Sequence, residues 1–451
     1  MIKILLISAN TYQVPYPVYP LGVSCLASYL NTNKPDWEVR IYDMIADQTE
    51  SLEKLLQDYQ PQYTGISLRN IDDVNFYQQQ SFLGGYRRII ETVRKYSRST
   101  VVIGGAGFSI FPELLFDLLQ PDYAIFGEGE KSFMQLIECL EKSESCSSIE
   151  GLIRSASNGE KSVTKRNSYL KSLTFSLNNH LTDFYWKNSG MLNLQTKRGC
   201  PYSCIYCTYP IIEGKQVRTF STDEVVEQME DLYFSKKIDY IFFTDSVFNI
   251  NYAYNYELCE KIIRKKIGIK WGGFFNFNNL DKKLLSIMKQ AGLSHIEFGS
   301  DSLSDRVLEA YDKNFRFSDI LAACNLCNEL DIHYAHFLIL CGYGETMDTL
   351  RETFDNSKKF GPSVFFPFIG MRIYPGTVLY QHALDEGQVD PNDKLEIPKY
   401  YISKDVDVTK LKEMARASGR SWIFPDDDKS DAMTRLRNKN KKGPLWEYLI
   451  Q

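Results

Sequence analysis

Met191-Leu192-Asn193-Leu194-Gln195-Thr196-Lys197-Arg198-Gly199-Cys200-Pro201-Tyr202-Ser203-Cys204-Ile205-Tyr206-Cys207 decides how the second half of this chain is organised. Residues 191–196 read as a strand that runs into a CxxxCxxC loop, with Tyr206 before the last cysteine. A metal loop at the carboxyl end of a first strand is what a barrel-type site requires. Three close thiolates can hold a four-iron cluster by three of its irons and leave the fourth open. A cluster that only carries electrons usually takes four cysteines. A structural zinc site also wants four ligands, commonly as two paired sets. The nearest other cysteines, Cys146 and Cys259, make no second pair, and His180, the nearest histidine, stands alone. Spacing therefore favours the open-iron cluster over zinc. The opening Met-Ile-Lys-Ile-Leu-Leu has no charged segment followed by an apolar signal stretch. A cytoplasmic location, where thiols stay reduced, is expected.

CxxxCxxC with an aromatic before the third cysteine resembles the signature of the radical S-adenosylmethionine (radical SAM) enzymes. The resemblance implies a [4Fe-4S] cluster on Cys200, Cys204 and Cys207, with SAM chelating the open iron and Tyr206 beside its adenine. It also implies reductive cleavage of SAM to a 5′-deoxyadenosyl radical.

Downstream, strands alternate with helices. Residues 240–244, 270–275, 295–299, 333–340 and 364–370 read as strands, and 222–234, 254–267, 282–290, 317–330 and 347–360 as helices. With the cysteine strand this makes six β/α units, which matches the partial barrel of the resembled family. Its sites lie at strand ends, so the candidates for SAM contact are Tyr206, Asp245, Asn276, Glu297, Ser300, Ser302 and Gly342. Hydroxyls and carboxylates suit a ribose and an ammonium. Lys313 stands where many relatives carry a lysine; a solvated surface lysine is the equal alternative. Cys341-Gly342-Tyr343-Gly344-Glu345-Thr346 resembles the family's Gly-x-x-Gly-Glu-Thr turn, with Cys341 in place of the first glycine. Catalytic candidates are His336, Cys341 and Arg372. The Cys324/Cys327 pair on a helix reads as core.

Upstream, residues 2–7, 37–42, 63–68, 101–104 and 123–126 read as strands, each followed by a helix, over 22–30, 51–59, 83–96, 112–119 and 131–140. Five repeats argue for a doubly wound α/β parallel sheet, whose ligands bind beyond the carboxyl ends of the strands. Those ends are small or polar: Ser8, Asn10; Ser67, Leu68, Arg69; Gly104, Gly105, Ala106; and Gly127, Glu128, Gly129, Glu130. No GxGxxG follows the first strand, so a dinucleotide is not expected. Placed before a radical SAM domain, this segment resembles the cobalamin-binding domain of the cobalamin-dependent radical SAM enzymes, with Tyr19, Leu21 and Gly22 opening the first helix. The resemblance implies that these residues cradle cobalamin. The cobalamin mutases take a cobalt ligand from a histidine after the first strand, whereas this chain has none before His180. A cobalamin without a protein imidazole is therefore expected.

The chain of 451 residues, 43% hydrophobic and 24% charged, suits a globular protein of two or three domains. The expected layout is a cobalamin-binding domain at 1–170, a linker at 171–190, a partial barrel at 191–380 and a C-terminal cap at 381–451. Residues 408–418 of the cap read as a helix. No membrane-spanning run is present, and a net charge of −5 gives no reason to expect nucleic acid. Arg435, Arg437, Lys439, Lys441 and Lys442 read as a solvated tail. Together the resemblances imply hydrogen abstraction from an unactivated carbon and methyl transfer from methylcobalamin to a small-molecule or lipid-like substrate. An external donor of the flavodoxin or ferredoxin type would supply electrons. Rearrangement, ring contraction or cyclisation without methyl transfer is the alternative, and a cofactor-binding sensor a second one.

Overall fold

Lys-Ile-Leu-Leu-Ile-Ser at the N-terminus is buried over all but its first residue, as a strand covered on both faces must be. In the computed structural model it forms β1 (Lys3–Ser8), an inner strand of the first of two compact units. The structure describes residues 1–155, 160–170, 177, 179–427, 435, 439 and 441–450. The first unit takes residues 1–73, 80–188 and 211–214, and the second takes 74–79, 189–210 and 215–451.

In the first unit β2 (Glu38–Asp43), β3 (Tyr63–Ser67), β4 (Thr100–Gly104) and β5 (Tyr123–Ile125) join β1 in the order β2-β1-β3-β4-β5, all parallel. The order reverses between β1 and β3, so the crevice beyond Ser8 and Ser67 is the switch point where such sheets bind ligands. The connecting helices are α1 (Leu21–Asn33), α2 (Leu52–Tyr59), α3 (Leu83–Tyr96), α4 (Ala106–Ile110), α5 (Pro112–Leu119) and α6 (Glu130–Glu141). Ile4, Leu6 and Val102 of the sheet pack against Leu30 of α1 and Phe133 and Leu136 of α6. Five strands and five helices were expected, and all ten are present. The short α4 is additional. So is a hairpin of β6 (Leu152–Ser155) and β7 (Lys161–Val163), which extends the sheet antiparallel beyond β5.

The stretch expected as linker at 171–190 is not loop throughout: Asn179–Ser189 is helical, as α7. Leu181 and Tyr185, four residues apart, are its buried stripe, and the surrounding Asn and Ser hid that period. Residues 171–176 and 178 lie outside the described residues, as does Arg437 of the basic tail.

In the second unit six strands follow one another in order around a parallel sheet: Leu192–Leu194, Tyr240–Phe243, Lys270–Phe275, Leu293–Asp301, His333–Leu340 and Val364–Ile369. A two-residue strand, Ser421–Trp422, adds to the far edge, parallel to the sixth. Period-two alternation divides the side chains. Phe242, Phe274, Glu297, Ala335, Phe337 and Phe366 face the lumen, whereas Trp271, Phe298, His336 and Phe365 face the helices. The C-terminal segment Leu445–Leu449 closes the lumen from below. Trp446 packs against Ala335 and Val364, and Glu447 meets Tyr240, Ser294 and His333, which lie at or near the first residues of their strands. The tail therefore plugs the end opposite the cysteine loop. The expected helix at 408–418 is present as Leu411–Ser418 after a single 3-10 turn.

Candidate active site

The cysteine loop is built on a buried ion pair. Asp245, just beyond the second barrel strand, accepts hydrogen bonds from Thr196 N (2.7 Å), Lys197 N (3.2 Å), Thr196 Oγ1 and Lys197 Nζ (2.7 Å). Lys197 also donates to the Phe248 carbonyl at 2.8 Å and lies over the Phe248 ring. Both oxygens of Asp245 are thus filled, and it anchors the run into Gly199 rather than offering a free carboxylate. Gly199 takes a left-handed backbone (φ 92), and its carbonyl accepts from Ser246. The loop is pinned further on by Ile205 N to the Tyr311 carbonyl (3.3 Å) and Leu379 N to the Ile205 carbonyl (2.9 Å).

Cys200 is buried, and Cys204 and Cys207 are partly so. Burial pushes both thiols up, Cys207 to about 12, so thiolates there need a cationic partner. Among the described residues no three Cys, His, Asp or Glu side chains converge on a single ion. A cube does not ask for that, because each thiolate binds a different iron. The donor set of three reduced thiols on one short loop fits a cluster with one open iron better than a mononuclear metal.

Around the loop lies a polar group. Asp301, at the end of the fourth strand, accepts at one oxygen from the Tyr206 hydroxyl (2.5 Å) and from Lys313 Nζ (2.6 Å). Lys313 is buried, so the surface-lysine alternative is set aside. Asn276 donates to Asn314 at 3.3 Å and shares a second bond network with Asn249 and Asn278. Gly342 lies beneath the Tyr311 ring, where a Cβ would stand 2.2 Å from the hydroxyl. Tyr206, Asn276 and Gly342, expected as SAM contacts, therefore lie at or next to the loop's surroundings.

Other candidates lie elsewhere. Ser300 is bonded to His336 Nδ1 at 2.7 Å, and Ser302 to Thr353 at 3.3 Å; both are in the helix-facing core. His336 does not face the lumen. It stacks on Phe365, contacts Cys324, and burial lowers its pKa to about 3. It is a satisfied core histidine, and Cys324 with Cys327 is core as well. Glu297 sits mid-strand on the lumen face, four residues and so roughly 13 Å before the strand end. There it accepts from Trp446 Nε1 at 3.0 Å, and burial pushes its carboxyl up to about 7. Cys341 is fully buried at φ 66, the conformation its glycine-like place in the turn demands; its amide donates to Glu345. Arg372 is buried, donating to the Ile373 carbonyl at 2.7 Å.

In the first unit Ser8 pairs in register with Asp43, whose carboxyl burial pushes up and which accepts from Tyr185 (3.0 Å), Ile45 N and Ala46 N. Asn10 makes a turn with Tyr12, and Tyr19 accepts from Ser24 at 2.8 Å. Gly105, at φ 98, is pressed against β3: a Cβ would lie 2.6 Å from the Leu68 carbonyl. The Gly104–Ala106 turn therefore lies directly beside Ser67 and Leu68. Gly22 and Gly129 differ, since a Cβ there would meet nothing within 4 Å. Open space at the first turn of α1 and before α6, with a tight glycine turn between, is a cradle suited to a bulky flat ligand. Arg69 is exposed at the same edge. Glu128 is turned inward, accepting from Leu170 N, and Glu130 is buried. His180 is exposed and bonded to Asp47 at 2.9 Å. Asp301, Asp43, Trp446 and Glu447 were not anticipated. Only Asp301 carried a signal, standing between the candidates Ser300 and Ser302.

Residues 7–137 match the B12 binding domain, and residues 194–356 match the Radical SAM superfamily. The tryptophan 2-C-methyltransferase of Streptomyces laurentii is 23% identical over 81% of this chain and 72% of its own length. An uncharacterized methyltransferase, PH0819, of Pyrococcus horikoshii is 25% identical over 81% of this chain and 78% of its own. The radical S-adenosylmethionine methyltransferase TsrM from Kitasatospora setae superposes with a TM-score of 0.88 at 20% identity, over 99% of this chain and 96% of that one. That structure holds cobalamin and a [4Fe-4S] cluster. A B12 binding domain joined to a radical SAM domain places this chain in the family of cobalamin-dependent radical SAM enzymes.

Proposed function

We propose that the protein transfers a methyl group to carbon of a small organic molecule, using a [4Fe-4S] cluster, SAM and cobalamin. The observation that carries this reading is the pairing, in one chain, of the three-thiol loop with the glycine-lined sheet edge. When bound, these groups supply radical chemistry and methyl transfer. Cys200, Cys204 and Cys207 hold the cluster. Tyr206, Asp301, Asn276 and Gly342 line the space where SAM binds, with Asp301 taking the part first given to Ser300 and Ser302. Asp245 holds the loop in place. Gly22, Gly104, Gly105, Ala106, Gly127 and Gly129, with Ser8, Asn10, Ser67, Leu68 and Arg69, would cradle cobalamin, and none of them offers the cobalt an imidazole.

The lumen indicates the substrate's character. Phe242, Phe274, Phe337 and Phe366 form a ladder with neighbouring rings 5.0 to 6.4 Å apart. Gly299 above Glu297 leaves open space, and Phe368 is 39% exposed. An apolar or aromatic body fits these walls. Glu297 at the floor, held by Trp446, offers one acceptor to a substrate N–H or O–H. A flavodoxin- or ferredoxin-type protein supplies the electron, in a cytoplasm that keeps the thiols reduced. Among the described residues no helix is long and apolar enough to cross a membrane.

Anaerobically reconstituted protein, incubated with reductant, methyl-deuterated SAM and a small-molecule extract of the source cells, tests the proposal. A product that gains the intact labelled methyl supports it. A rearranged or cyclised product without label would replace it with the rearrangement reading.

A further inference from the structure

Glu297 is a buried carboxylate with one oxygen left over. It is 7% exposed, on the inward face of the fourth barrel strand. Its Oε1 accepts from Trp446 Nε1 at 3.0 Å, and its Oε2 takes no hydrogen bond from any described residue. Phe274 and Ala335 flank it in register on the neighbouring strands. Gly299, two residues on and on the same face, would give a Cβ nothing to meet within 4 Å. Phe274, Phe337 and Phe366 point into the barrel yet are only half-buried, so their rings line space rather than fill it. Among the described residues, the one other charge that bears on Glu297 is Glu447. That residue is also acidic, and it is taken up by His333 at 3.0 Å and Tyr240 at 2.9 Å. A carboxylate removed from water with no cation beside it is costly. Holding Trp446 needs one oxygen and no charge, a task that glutamine would serve as well.

We propose that Glu297 Oε2 anchors a cationic nitrogen of the substrate, a protonated amine or amidine carried on an apolar or aromatic body, with the rings of Phe274, Phe337 and Phe366 around it. The inference rests on the proposal that this lumen is the substrate site, and it narrows the bound group from any N–H or O–H to a cation. An ammonium gives the carboxylate a charge-assisted hydrogen bond, and the faces of aromatic rings attract the same cation. A neutral hydroxyl gives one ordinary hydrogen bond and draws little from the rings. An anion meets Glu297 as a like charge.

Calorimetric titration of the reconstituted holoenzyme with three probes of similar shape tests this: 2-phenylethylammonium, 2-phenylethanol and phenylacetate. The ammonium is expected to bind about tenfold more tightly than the alcohol, and phenylacetate more weakly than either. Glu297→Gln retains an acceptor for Trp446. It is expected to erase the preference for the ammonium while leaving the alcohol's affinity near wild type. Wild-type protein that binds the alcohol as tightly as the ammonium, or binds no ammonium, overturns the proposal. A preference that survives Glu297→Gln overturns it equally. Where that variant does not fold, Gly299→Leu takes its place, filling the space beside the carboxylate. It should abolish ammonium binding, and binding that persists sinks the assignment. Methyl transfer is read separately. Ammonium selectivity in a protein that labels no product keeps this cation site and defeats the proposed function, whereas labelled product without ammonium selectivity defeats only the cation site.

Discussion

Asp301 meets the cysteine loop, while the hydroxyls on either side of it, Ser300 and Ser302, turn into the helix layer. Both serines are chemically apt for a ribose, and chemistry alone selects them. Period-two alternation puts them on the opposite face from Asp301. Which parity faces inward depends on the register between strands and on the irregularity between Gly299 and Asp301, which no local sequence pattern announces. The cysteine loop itself is legible because its spacing lies within one short stretch of sequence. His336 was ambiguous for the same reason as the serines, and the structure resolves it as core. Its neutral form is enforced by burial, so its pKa falls from an ordinary 6.5 to about 3. The unfolded chain binds a proton below pH 6.5 and the folded chain does not. His336 therefore favours unfolding increasingly as the pH drops from 6.5 towards 3, and its stability contribution is intact above 6.5. His336→Phe, which keeps the stacking on Phe365, is expected to flatten the acid side of a stability–pH profile measured by urea unfolding. It should also cost about 1 kcal/mol near neutral pH through the lost Ser300 bond.

Among the elements, the ten strands and helices of the first sheet and the alternating strands of the barrel were readable because their apolar periods are long and regular. What escaped were pieces whose reasons are tertiary. The α7 helix is recognised by Tyr185 reaching Asp43, and α4 by the tight turn at Gly105. The tail reads in sequence only as a C-terminal cap, and which end of the barrel it covers is set by Glu447 finding Tyr240 and His333. The glycine turns separate structural from ligand-facing roles. Gly105→Ala forces a Cβ against the Leu68 carbonyl at a left-handed φ and should destabilise the first unit by roughly 1–3 kcal/mol in chemical denaturation. Gly22→Leu fills space that no protein atom occupies. It should leave the unfolding midpoint near wild type while reducing cobalamin retention, measured by absorbance after gel filtration. Equal retention in Gly22→Leu would remove the first turn of α1 from the proposed cradle.

Across the whole molecule, family and fold were carried by two patterns far apart in the chain: a thiol loop ending a barrel's first strand, and glycines at the edge of a doubly wound sheet. The proposed substrate pocket was not carried in this way, because an aromatic ladder with one carboxylate emerges only when six strands curve around a lumen. The central claim is that one chain holds both cofactors at these two places. Cobalt and iron per chain, measured on anaerobically reconstituted wild type and on the Cys200/Cys204/Cys207→Ala variant, test it most directly. The account predicts about one cobalt and about four irons for wild type, with iron lost and cobalt retained in the variant. Wild-type protein without cobalt, or a variant that keeps its iron, would contradict it.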